Sequence, residues 1–78
     1  MKLPRGVPAA RLIRALEHLG YETMRQRGSH VRLRHPGPPA HLVTVPLHDS
    51  LKTGTLQGIL SEVARMRSIT VESVVDLL

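Results

Sequence analysis

Residues 25–34 read Arg25-Gln26-Arg27-Gly28-Ser29-His30-Val31-Arg32-Leu33-Arg34. Gly28-Ser29 is a two-residue link of the kind a II′ hairpin turn favours, because glycine accepts the positive φ needed at the first central position. On either side, charged and less polar residues alternate, as in strands with one face turned to a core. This predicts a hairpin with Tyr21–Arg27 as one strand and His30–His35 as the next. A two-residue turn sets Arg27 opposite His30, Gln26 opposite Val31, Arg25 opposite Arg32, Met24 opposite Leu33 and Thr23 opposite Arg34. One face of the pair is then largely apolar and the other basic.

On the N-terminal side of the hairpin, Leu12, Ala15, Leu16 and Leu19 recur at helical spacing and predict a helix over residues 8–19, with Pro8 at its first position and Gly20 as its stop. Val7, which precedes Pro8, offers no capping oxygen. Beyond the hairpin, Pro36-Gly37-Pro38-Pro39-Ala40 is a stiff loop. Residues 42–47 predict a third strand, with Val43, Val45 and Leu47 on one face, Leu42 and Thr44 on the other, and Pro46 at an edge or end. Leu56, Ile59, Leu60 and Val63 form the stripe of a second helix, capped by Thr53 or Thr55. Thr70 caps a last short helix with Val71, Val74, Val75 and Leu78 as its stripe.

The expected fold class is therefore α+β: an α-β-β-β-α order with a short extra C-terminal helix, and a three-stranded antiparallel sheet with helices on one face. The other sheet face stays open. It carries Arg25, Arg27, His30, Arg32 and Arg34, with Thr44 nearby and His48 at its edge.

Composition narrows the function. A chain of 78 residues suffices for one domain, 1–78. Eleven Lys+Arg against six Asp+Glu give a formal net charge of +5, and nine of the eleven are Arg, the residue suited to bidentate phosphate contact. That balance points to a polyanionic partner. One Tyr, with no Phe or Trp, disfavours readers that stack bases on aromatic platforms, so contact mainly with a nucleic-acid backbone is expected. No Cys is present, which excludes disulfides and thiolate metal sites. No apolar run is long enough to span a membrane, and Met1-Lys2-Leu3-Pro4-Arg5-Gly6 has no apolar segment behind its charge, so neither a membrane span nor a signal peptide is expected. A cytoplasmic location fits.

His35, His41 and His48 match no common zinc spacing, and no acidic cluster joins them, so neither a metal nor a cofactor is expected. Taken alone, His30 suits a histidine that hydrogen-bonds its turn as well as one with a chemical role.

Three blocks change that balance: Leu12-Ile13-Arg14-Ala15-Leu16-Glu17-His18-Leu19-Gly20-Tyr21; Arg25-Gln26-Arg27-Gly28-Ser29-His30-Val31-Arg32-Leu33; and Val43-Thr44-Val45-Pro46-Leu47-His48 running on to Lys52-Thr53-Gly54-Thr55-Leu56. Together they resemble the HicA toxin family, also called YcfA-like, over most of residues 3–60. The resemblance implies a fold like a double-stranded-RNA-binding domain. It also implies the toxin of a type II toxin–antitoxin pair, an endonuclease that cleaves mRNA, held inactive by a HicB-like antitoxin. The catalytic histidine of the family's Gly-Ser-His block maps onto His30.

The chemistry suits that residue. RNA carries its own nucleophile, the 2′-hydroxyl, and an imidazole acting as general acid/base can set it free without a metal. Arg side chains around it stabilise the charge of the pentavalent state. Arg25, Arg27, Ser29, Arg32, Arg34 and Lys52 are the expected RNA-binding residues. A second acid/base is needed; His48, Lys52 and Tyr21 are candidates, His48 foremost. The alternative on the same residues is a non-catalytic RNA- or DNA-binding module using the same basic sheet face.

Overall fold

The computed structural model describes residues 3–78. Along the chain run α1 (Ala9–His18), β1 (Glu22–Arg27), β2 (His30–His35), β3 (His41–Pro46), α2 (Thr53–Arg67) and α3 (Val71–Val75). The strands form one antiparallel sheet in the order β1-β2-β3, so the α+β order with a short extra helix is as the pattern predicts. Met1 and Lys2, which open the stretch read for a leader, lie outside the described residues. Among the described residues no helix is long and apolar enough to cross a membrane.

The helix ends show how backbone groups are satisfied locally. Pro8 precedes α1 as its cap, with φ −74° and ψ 151°, rather than opening it. No side chain caps this end. The Ala9 N–H donates to the His48 carbonyl at 3.0 Å, and the Leu51 N–H to the Val7 carbonyl at 2.8 Å, so the 48–51 loop takes the place of a capping Ser or Thr. α1 stops on Gly20 at φ +99°, with the N–H of Tyr21 donating to Leu16 O and that of Gly20 to Glu17 O, both at 3.0 Å. These paired bonds are the Schellman stop. α2 ends the same way without glycine. Ser68 takes φ 58° and ψ 42°, the Ile69 N–H donates to Ala64 O at 3.0 Å, and the Ser68 N–H to Arg65 O at 3.3 Å. At its start, neither Thr53 nor Thr55 caps α2; the cap position is Lys52, and no side chain bonds there. Thr70 does cap α3, accepting from the Ser73 N–H at 3.1 Å.

One apolar cluster joins the helices to a single sheet face: Leu12 and Leu16 from α1, Val31 and Leu33 from β2, Val43 and Val45 from β3, Leu56, Leu60 and Val63 from α2, and Val74 from α3. The Cα envelope measures only 17 Å along its shortest axis, two layers deep. β2 and β3 alternate between exposed and buried residues, whereas every residue of β1 is exposed. The core therefore takes side chains from β2 and β3 and leaves β1 as an overhanging edge.

The hairpin register departs from expectation in its first half. Arg27 faces His30, Gln26 faces Val31 and Arg25 faces Arg32, as a two-residue turn requires. Beyond these, Thr23 faces Leu33 and Glu22 faces Arg34, so Met24 is the extra residue of a β-bulge rather than the partner of Leu33. The cause lies in Tyr21. In an unbroken strand, alternation would put Tyr21 on the same face as Arg25 and Arg27. One inserted residue reverses that parity and carries Tyr21 into the core, where it is 2% exposed. Burying the chain's one tyrosine outweighs an uninterrupted ladder at an edge.

Candidate nucleic-acid interface

The open face is built from three strands in register. Arg27 of β1 lies directly opposite His30 of β2, and Arg25 opposite Arg32. On the other side of β2, Arg32 faces Thr44 and His30 faces Pro46 of β3. Directly opposed residues on one sheet face hold their Cβ atoms about 4.5–5.5 Å apart. A hollow of about 540 Å³ follows, lined by Met24, Arg25, Arg27, His30, Arg32 and Thr44. Every fixed charge on its rim is positive. Like charges facing each other across strands destabilise a sheet, so the Arg25–Arg32 pairing is not explained by stability. None of these arginines forms an ion pair among the described residues.

His30 is exposed at the start of β2, immediately after the turn. Gly28 takes φ +57°, the value a II′ turn needs at its first central position. The Ser29 hydroxyl lies 3.4 Å from Nδ1 of His30, and Nε2 has no hydrogen-bond partner among the described residues. The Leu47 N–H donates to Ser29 O at 2.7 Å, tying the turn to the chain leaving β3.

The other sequence candidates are dispersed. Arg34 shares the face two pleats along from His30, opposite Glu22 on one side and Leu42 on the other, outside the hollow's lining. His48 is exposed one residue past Leu47, close in the chain to the strand end that meets Ser29. Lys52 is exposed at the head of α2. Tyr21 is removed from candidacy as an acid/base beside His30. It is buried against the opposite face, and its hydroxyl donates to Nδ1 of His41 at 2.7 Å.

That opposite face holds a polar cluster the sequence does not disclose. His41 is 7% exposed, and its Nε2 donates to Oε1 of Glu62 on α2 at 2.9 Å. His35 packs edge-on against the Tyr21 ring, with centroids 5.0 Å apart. Its Nε2 donates to Leu19 O at 3.0 Å, while its Nδ1 accepts from the Gly37 N–H at 2.9 Å and from Arg67. The Arg67 guanidinium also lies 5.8 Å from the Tyr21 ring centre, a cation–π distance. Burial pushes the Tyr21 phenol above its ordinary 10.0, Arg67 opposing and Glu62 reinforcing the shift. Among the described residues no three His, Cys, Asp or Glu side chains gather as a metal-holding group.

Compared with known proteins, residues 9–64 match a family model described as the HicA toxin of bacterial toxin–antitoxin systems, from the start of α1 to near the end of α2. No curated protein and no solved structure gives a significant match.

Proposed function

Since the chain belongs to the HicA toxin family, the toxins of bacterial toxin–antitoxin pairs, we propose that it is an RNA endonuclease that needs no metal and uses His30 as its general acid/base. The observation that carries this reading is the hollow itself: a histidine with an unengaged Nε2, surrounded by Arg25, Arg27 and Arg32, with no acidic group on the rim. Phosphates of an RNA strand seat on the guanidiniums. His30 takes the proton of a 2′-hydroxyl, O2′ attacks the adjacent phosphorus, and the P–O5′ bond breaks. The leaving O5′ receives a proton, giving a 2′,3′-cyclic phosphate and a free 5′-hydroxyl. The arginines gain most where the phosphorane bears its extra charge, so they favour the transition state over the bound substrate. His48 is the proposed second acid/base, on the strength of its place beyond the strand end tied to Ser29.

The substrate proposed is mRNA in the cytoplasm, and the proposed partner is a HicB-like antitoxin with an acidic surface that covers the face. The test is incubation of the protein and its His30→Ala variant with a long single-stranded RNA in excess EDTA. Cleavage by the parent alone, with cyclic phosphate ends, is expected. Equal cleavage by both would move the chemistry off His30. Salt-sensitive binding by both without cleavage would replace the nuclease by a binding module on the same face.

A further inference from the structure

Two large apolar side chains are strongly exposed among the described residues: Met24 at 59% and Leu42 at 53%. They border different hollows. Leu42 lines a smaller groove of about 350 Å³ between β3 and α2, whose one charged side chain is Glu62. Met24 lines the hollow that holds His30. It reaches that position only because the bulge lifts it out of the inward-facing set, where an unbroken register would pair it with Leu33. An apolar thioether among three guanidiniums adds nothing to phosphate binding. It does supply what the guanidiniums and the His30 imidazole beside it do not, a polarizable apolar contact for a base. Methionine sulfur packs favourably on aromatic rings, and its flexible chain adapts to different ones.

Resting on the reading of this face as an RNA site, we propose that Met24 is its base-contact residue: the thioether packs on an unstacked nucleobase of single-stranded RNA whose phosphates lie on Arg25, Arg27 and Arg32. A duplex cannot use this contact, because its base faces are covered by stacking. The substrate class is thereby single strands, loops and frayed ends. Backbone contact supplies most of the affinity, and Met24 adds a preference for bases that are free to lie down.

The test uses a 12-residue 2′-O-methyl oligoribonucleotide, which lacks the attacking hydroxyl and so survives whichever residue does the chemistry. Its companions are an abasic chain of equal length and the corresponding duplex, with binding read by fluorescence anisotropy at fixed salt. The parent protein is expected to prefer the base-bearing single strand over the abasic chain by about three- to tenfold, the scale of a sulfur–ring contact. Met24→Ala removes that preference without changing affinity for the abasic chain or the melting temperature, and Met24→Leu, which keeps the apolar bulk but not the sulfur, retains only part of it. Leu42→Ala, an equal apolar loss beside the other groove, leaves the preference intact. Binding of both single-stranded chains with equal affinity by the parent overturns the Met24 assignment alone. So does a Met24→Ala loss shared equally by both chains, or a preference that Leu42→Ala removes as well. Absence of salt-sensitive binding to every oligomer overturns the RNA reading of the face and the Met24 assignment with it.

Discussion

His30 and His41 stand on opposite faces of one three-stranded sheet, and their surroundings differ in every respect that matters to chemistry. His41 is buried, with Tyr21 on one nitrogen at 2.7 Å and Glu62 on the other at 2.9 Å. Both of its ring nitrogens are committed to partners within the protein. His30 is exposed, with a Ser29 hydroxyl at 3.4 Å from Nδ1, nothing on Nε2 among the described residues, and arginines beside it. A histidine engaged on both nitrogens holds a fold together, whereas one engaged on a single nitrogen in a field of cations is available to an anionic substrate. The same contrast separates the arginines. Arg67 is held by His35, Pro39 and the Tyr21 ring, while Arg25, Arg27 and Arg32 have no such partners among the described residues.

Breaking the inner face has the largest expected effect on stability. His41→Ala leaves the Tyr21 hydroxyl and the Glu62 carboxylate without their partner and opens a cavity, at a cost of about 2–4 kcal/mol. Chemical denaturation should show it as a lower midpoint with an unchanged slope. Tyr21→Phe removes one donor and costs about 1–2 kcal/mol at neutral pH. Its signature lies at high pH. The folded phenol titrates above its ordinary 10.0 because it is buried. Above that pH the unfolded chain has released a proton that the folded chain still holds, so stability falls as pH rises from the ordinary value through the folded one. Thermal melts from pH 9 to 11 should lose stability in the parent and less so in Tyr21→Phe.

On the outer face the expected effects fall on binding. Arg27→Ala should weaken binding to a non-cleavable RNA about fivefold at 0.15 M salt and reduce the salt slope by about one. Its melting temperature should stay that of the parent or rise slightly, because one of a set of crowded cations is gone. The smallest effect concerns the two helix ends. Gly20 closes α1 at φ +99°, where glycine is at ease, and Ser68 closes α2 at φ 58°, where a side chain costs about 1–2 kcal/mol. Ser68→Gly should therefore raise stability by up to about 1 kcal/mol, net of the entropy glycine loses on folding. A calorimetric melt measures it.

Much of this was legible in the residues. Leu12, Ala15, Leu16 and Leu19 fixed α1, the Gly28-Ser29 turn fixed the hairpin, and alternation along 42–47 placed β3 within one residue of its observed bounds. The open face followed from alternation, because Arg27, Arg25 and Arg32 lie on the turn side of the bulge, where the register held. What alternation missed was a conflict between local and global demands. A strand counted by twos puts Tyr21 outside, yet a lone aromatic directly after a helix stop belongs in a thin core. Gly20-Tyr21 carried that signal, and it outweighs the period at an exposed edge. The inner polar cluster was illegible for a different reason. Tyr21, His41 and Glu62 are about twenty residues apart at each step, and only packing of α2 beside β3 brings them together. Ser68 in the left-handed region was equally hidden, since the Schellman stop normally advertises itself by glycine.

The measurement that bears most directly on the contrast between the two faces sets His30→Ala beside His41→Ala, with melting temperature and RNA cleavage in EDTA read on the same preparations. His30→Ala should melt with the parent and cleave about two to four orders of magnitude more slowly. His41→Ala should melt well below the parent and, at temperatures where it is folded, cleave within about threefold of it, a difference under 1 kcal/mol. A His30→Ala protein that cleaves like the parent, or a folded His41→Ala protein that does not cleave at all, would contradict the division of labour between the two faces of the sheet.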